Sequence, residues 1–192
     1  MPTPNPAAMA FLANRRSRPA KLFTAPVPSR DQIADILTTA ARVPDHGKLE
    51  PWRFVVVEGA AFARLAQLAQ DHAAAIGADA EKTGKARGQY DLGLCAVVVI
   101  SSPKASEKVP VAEQVLSAGA LCMNIVNAAE AAGWGACWLS GWPAHDAVFT
   151  AAAFGTAGHE TVAGIIHIAT PAPDAPDRPR PNIAALTQWI ST

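Results

Sequence analysis

The chain has 192 residues, 50% of them hydrophobic and 17% charged, enough for one sizeable core and a single domain spanning residues 1–192. Sixteen basic residues balance 16 acidic ones, so no overall charge draws the chain to nucleic acid or to an anionic membrane. The first ten residues lack the basic start and apolar stretch of a signal peptide, and the apolar run at 94–100 is too short to cross a bilayer, so a soluble cytoplasmic protein is expected.

Residues 7–17, AAMAFLANRRS, set Met9, Phe11 and Leu12 at near-helical spacing and end in two arginines, which predicts a helix whose last turn presents cations. The stretch SRDQIADILTTAARV opens with Ser29 as N-cap and Asp31 in the first turn, and puts Ile33, Ile36, Leu37 and Ala40 on one face. That helix ends ahead of Pro44, which turns Val43 away from helical dihedrals. RFVVVEG, closed by Gly59, is expected as a strand buried on both faces. Residues 60–88 carry Phe62, Leu65, Leu68 and Ala69 in helical period, with Gly77 and Gly84 marking a break. LCAVVVISS is the second strand, and PKASEKVP is a proline-bounded loop. Residues 111–132 form the longest helical pattern, apolar nearly all round and rich in small residues. A helix without a polar face is buried, which in a chain of this size implies a dimer core. GWGACWLSGWP reads as strand and turn, HDAVFTAAAFG as a short helix, and TVAGIIHIATP as a further strand. The tail begins as a Pro/Asp/Arg linker and finishes with Ile183, Leu186, Trp189 and Ile190 in an amphipathic stretch. Helices interleaved with few strands indicate an α+β or α/β three-layer domain.

Four loops carry chemistry-bearing residues. NRRS at 14–17 offers two planar, permanently charged guanidinium groups and a hydroxyl, a set suited to phosphate, although taken alone it reads as a solvated basic helix end. ARVPDHGKLEPWRF at 41–54 gathers Arg42, His46, Lys48 and Arg53 around two stiffening prolines, Pro44 and Pro51, ahead of a buried strand. Taken singly, Trp52 there reads as a core anchor and Arg53 as a surface ion pair. WGACWLSGW at 134–142 combines glycines, whose amides are open to close approach, with Ser140; it lacks the preceding glycine of a nucleophile elbow, and no triad completes it. DRPRP at 177–181 adds cations on a rigid linker. Together the four describe a phosphate-bearing flat ligand. Cys95, Cys122 and Cys137 have no CxxC pairing and no histidine at metal-ligand spacing, and read as reduced buried thiols. No acidic residue follows a Gly-x-Gly-x-x-Gly run, so a dedicated Rossmann site for a dinucleotide is not expected.

The order RRS, PDHGKLEPWRF, a small-residue helix, GWGACWLSG, and VAGIIHIATP followed by DRPRP resembles the nitroreductase family of flavoproteins, in its small bacterial subgroup with P-D-H ahead of P-W-R. The resemblance runs from about Phe11 to Arg180. It implies an α+β fold, a three-layer α/β/α sandwich with a central, mostly antiparallel sheet flanked by helices. It also implies a homodimer holding FMN at the subunit interface, with residues 172–192 as an extension that packs on the partner. Carried onto this sequence, Arg15, Arg16 and Ser17 would hold the phosphate and ribityl chain. Arg42 and His46 would reach the FMN shared with the other subunit, and Trp138, Leu139, Ser140 and Gly141 would line the flavin ring. Arg180, or neighbouring Arg178, would cap the phosphate, and Lys21 is a candidate positive charge near the ring. The implied activity is ping-pong hydride transfer from NADH or NADPH through flavin N5 to a nitroaromatic, quinone or similar planar acceptor. Flavin fragmentation, reductive dehalogenation and non-catalytic FMN binding are the alternatives. Many members carry a Ser-x-x-Asn type loop where this chain has Asp45-His46-Gly47-Lys48, which leaves the acceptor open.

Overall fold

The computed structural model describes residues 2–172 and 177–191. Its elements are α1 (Pro6–Asn14), α2 (Arg30–Ala40), β1 (Trp52–Glu58), α3 (Ala61–Ala75), α4 (Ala80–Asp91), β2 (Cys95–Ser101), α5 (Val111–Ala131), β3 (Gly135–Leu139), α6 (Ala147–Phe154), β4 (Thr161–Ala169) and α7 (Ile183–Leu186). Short 3-10 turns lie at Ala20–Leu22, His46–Lys48 and Trp142–His145. The four strands form one antiparallel sheet in the order β1-β2-β4-β3. Phe62, Leu65, Tyr90, Phe149 and Ile165 form the core on one face, beneath α3, α4 and α6. Ile33, Ile36, Leu121, Ile125 and Ile166 form it on the other, beneath α2 and α5, which completes the three-layer α+β sandwich.

Local signals explain most of these elements. Ser29 and Gln32 form a capping box at the start of α2, with Ser29 Oγ accepting from Gln32 N at 3.2 Å and Gln32 Oε1 accepting from Ser29 N at 2.9 Å. Ile33, Ile36 and Ala40 are buried as the periodicity requires. Asp146 caps α6 through Phe149 N, and Gly155 ends it in the left-handed region at φ 64°.

Three expectations change. β1 is an edge strand, paired only with β2, and Val56 on it is 40% exposed, whereas all seven residues of β2 are buried. A β-branched run reports strand preference, but whether both faces are covered depends on position in the sheet. The break in residues 60–88 falls at 76–79, between Gly77 and the Asp79 cap, while Gly84 lies inside α4. The third concerns α5. Its inner face is buried through Leu121, Cys122, Ile125, Val126 and Ala129, but Val111, Val115 and Leu116 stand exposed in the first two turns, Leu116 on the outer face. The expected C-terminal extension includes residues 173–176 and 192, which lie outside the described residues. In the described part, Ile183, Leu186, Trp189 and Ile190 are exposed.

Arg53 joins the start of β1 to the residue preceding β4. Its Nε and Nη2 donate to Glu160 Oε1 and Oε2 at 2.8 and 2.6 Å, and Ala157 N donates to the same carboxylate at 2.9 Å. The Arg53 bonds hold the Glu160 carboxyl down to about 2. Because the folded value lies below the unfolded one, this contribution is complete above the ordinary value of 4.5 and is lost as pH falls from there toward 2. Glu160→Gln is therefore expected to be the less stable protein at pH 7, with the gap to wild type closing in this acid window. Urea midpoints measured across pH check it; a gap independent of pH would contradict it.

Candidate functional site

α1 stops at Asn14, earlier than its sequence suggests, and Arg15 N closes the helix on Phe11 O at 2.8 Å. The arginines thus lie on the extended segment after the helix rather than on its last turn. Arg16 N donates to Glu130 Oε2 at 3.1 Å, and the Arg16 guanidinium pairs with Asp177 and donates to Arg15 O at 3.0 Å. Arg18 N donates to Ala136 O at 3.1 Å, which binds this segment to the outer edge of β3, and Arg18 Nη1 donates to Ala172 O at 2.7 Å. Arg180 donates to Ala13 O. Ser17 is exposed beside them. Two loops more than 150 residues apart in sequence, RRS and DRPRP, are thereby brought to one place.

Beside this segment, a pocket of about 350 Å3 opens between the turn at Ala20–Leu22, α4 and β3, lined among others by Lys21, Lys85, Gly88, Gln89, Cys137 and Leu139. The glycines of α4, Gly84 and Gly88, leave open space where side chains would project. Gln89 Nε2 is buried without a hydrogen-bond partner among the described residues. Gly141, at φ 69°, passes so close that a Cβ there would stand 3.2 Å from this nitrogen. Burial pushes the Cys137 thiol up, and Arg178 is near enough to oppose the rise. Strand alternation separates two expected neighbours. Leu139 lines the pocket, whereas Trp138 projects from the opposite face, 39% exposed, with its ring packed against Gly164. A Cβ on Gly164 would be 2.2 Å from Trp138 Nε1. Ser140 and Gly141 continue into a turn held by Trp142, whose Nε1 donates to Lys82 O at 3.0 Å and whose ring stacks on His72 at 5.9 Å.

Arg42 and His46 lie elsewhere. The Asp45 carboxylate accepts from Leu49 N at 3.0 Å and Glu50 N at 2.9 Å, holding a tight turn in which Gly47, Lys48 and Glu50 have φ of 77°, 53° and 47°. Positive φ at two non-glycine residues marks stored backbone strain. The turn presents His46, whose Nδ1 is 2.8 Å from Glu113 Oε2, at a pocket of about 360 Å3 lined by Pro44, Leu116, Ser117 and Ala120. Arg42 is exposed on the approach. Trp52 and Arg53 are scaffold: Trp52 Nε1 donates to Ser117 Oγ at 3.3 Å, and Arg53 holds Glu160.

The two halves of the expected site therefore sit at opposite ends of the 21-residue α5, one against Glu130 and the other against Glu113. At about 1.5 Å per residue these glutamates are about 25 Å apart. Sequence reasoning singled out neither Glu130, which it took only as part of a weak dinucleotide-contact stretch at 128–133, nor Gln89. Glu130 could have been flagged as an acidic residue in the last turn of a helix, the end that disfavours it, whereas nothing local marks Gln89.

Among the described residues no group of three or more His, Cys, Asp or Glu side chains could hold a metal ion, and no helix is long and apolar enough to cross a membrane. All three cysteines are buried and free, and burial raises Cys95 to about 11 and Cys122 to about 12. The donors that are present suit a flavin phosphate: a convergent arginine segment, an apolar slot beside it, and an unpartnered buried amide.

Residues 12–170 match the Nitroreductase family. The Escherichia coli (strain K12) protein named "Putative NAD(P)H nitroreductase YdjA" is 34% identical over 164 residues, covering 85% of this chain and 88% of its own. A Haemophilus influenzae protein of the same description is 33% identical over 165 residues, with the same coverage. Among solved structures, a nitroreductase-like family protein from Bacillus cereus superposes with a TM-score of 0.80 at 20% identity, covering all of both chains. A Desulfovibrio desulfuricans protein solved in complex with FMN gives 0.75 at 20% identity, covering 99% of this chain and 100% of its own.

Proposed function

The chain belongs to the nitroreductase family of FMN- and NAD(P)H-dependent oxidoreductases, and on that premise we propose that it is a homodimer passing a hydride from NADH or NADPH to a planar acceptor, a nitroaromatic, a quinone or a similar molecule. The observation that carries this reading is the division of the site between the two ends of α5. One FMN cannot bridge both ends within a single chain. A two-fold axis across the exposed outer face of α5 sets two copies of the helix antiparallel, so that the His46 end of one meets the Arg16 end of the other. Two complete sites result.

In this reading Arg15, Arg16, Ser17 and Arg180 hold the phosphate and ribityl chain, with Arg178 beside them. Leu139, Ser140 and Gly141 form the slot for the ring, Gln89 supplies its buried amide to the ring edge, and Lys21 brings positive charge to the rim. Arg42 and His46 complete each site from across the interface. Trp138, on the other face of β3, would meet the ring only by its edge or across the dimer contact. The bound cofactor supplies hydride acceptance and donation; the protein supplies orientation, positive charge and a slot that excludes water and admits flat molecules. The tail extends the interface, since its exposed Ile183, Leu186, Trp189 and Ile190 match an apolar groove of about 410 Å3 lined by Ile33, Ala34, Leu37 and Val56 beside the open edge of β1.

The test is the visible spectrum of the purified protein followed by anaerobic titration with each nicotinamide. Flavin bands that bleach with NADH or NADPH and return on adding a quinone or nitroaromatic are expected. Bands that neither nicotinamide bleaches would indicate a binding protein instead. Arg15→Ala should weaken FMN binding by about 1.5–3 kcal/mol, the worth of a charge-assisted contact. Unchanged flavin occupancy at limiting FMN would remove Arg15 from the phosphate site.

A further inference from the structure

Glu130 occupies a position that electrostatics disfavours. It lies in the last turn of α5, where the helix dipole opposes a carboxylate, and burial raises its pKa. Oε1 is buried with no hydrogen-bond partner among the described residues, a cost those residues do not recover. Oε2 accepts the Arg16 N–H at 3.1 Å, and the charges of Arg15, Arg18 and Arg16 all act on the carboxylate. Those three arginines fall within four consecutive residues, so they repel one another, and beyond the Arg15 N–H the segment that carries them has no helical hydrogen bonds to hold it. A half-buried anion beneath the backbone of Arg16 counters both effects. It ties the middle of the segment to α5 and offsets the mutual repulsion, while Asp177 pairs with the outer side of Arg16.

We propose that Glu130 is a positioning residue for phosphate recognition, holding the Arg15–Arg18 segment so that its guanidinium groups converge on the phosphate of FMN. The proposal rests on the FMN reading above and adds to it a residue that never touches the cofactor. A residue that merely stabilised the fold would affect every flavin alike. One that orders the phosphate-binding arginines discriminates between FMN and riboflavin, which differ only in the phosphate.

The experiment measures binding of FMN and of riboflavin to the apoprotein by flavin fluorescence quenching, for wild type, Glu130→Ala and Glu130→Gln, with thermal melting of each. Wild type is expected to prefer FMN. Glu130→Ala should lose about tenfold or more of its FMN affinity with riboflavin affinity unchanged. Glu130→Gln, which keeps an oxygen for the Arg16 N–H but not the charge, should recover part of the loss, and it provides the measurement should the alanine variant fail to fold. Equal losses for both flavins, or no loss for either, would overturn the proposal while leaving the FMN reading intact. Wild-type protein that binds neither flavin would overturn both.

Discussion

Leu116→Asp is expected to convert a flavin-loaded dimer eluting near twice 20.0 kDa into a flavin-poor monomer. Leu116 is 72% exposed on the outer face of α5 near its start, where it lines the pocket of Pro44 and His46. A carboxylate there costs the single chain little, because the side chain already faces solvent. Buried against the partner subunit, the same carboxylate would be desolvated with no charge to pair it, which is worth several kcal/mol against association. Size-exclusion chromatography with absorbance at the flavin bands reads both consequences together. Loss of flavin should accompany dissociation if, as proposed, each site takes residues from both subunits. A variant that remains dimeric would show that the subunits meet elsewhere, and a flavin-loaded monomer would contradict the divided site.

Ile125→Ala, on the opposite face of the same helix, should act on the fold itself. Ile125 is fully buried among Leu121, Ile166 and Ile168, where α5 lies on the central strands. Removing three carbons from a close-packed position costs about 2–5 kcal/mol, depending on how far the site collapses. For a domain of this size that corresponds to a melting temperature lower by about 4–20 °C. Melting of the apoprotein isolates the effect from cofactor binding. A change below 1 kcal/mol would mean that α5 does not pack as described. The two substitutions lie within a few turns of one another, yet one should leave the subunit folded and the other should loosen it.

Much of the fold is legible in the sequence because its causes are local. Ser29 with Gln32, the Ile33–Ile36–Ala40 spacing and the Asp146 and Gly155 caps specify their helices through neighbours a few residues away. The run Ala96–Ile100 reads as a buried strand and is one, since it lies in the middle of the sheet. The same reasoning misjudged β1, which is also rich in β-branched residues but whose outer edge has no strand partner among the described residues. The RRS and DRPRP motifs were visible as clusters of charge, and their meeting through Arg16–Asp177 and Arg180–Ala13 follows from chain closure alone.

By itself the sequence determined the family, the arginine, histidine and glycine motifs, and the helices and central strands, because each rests on residue chemistry and short-range periodicity. Only the tertiary structure decided that the Arg16 and His46 groups lie at opposite ends of α5, that Trp138 and Leu139 face opposite ways, that Glu130 lies against the Arg16 backbone, and that Gln89 lines the pocket beside it. Those facts depend on distances between residues remote in the chain, and distances are set by how the helices pack on the sheet.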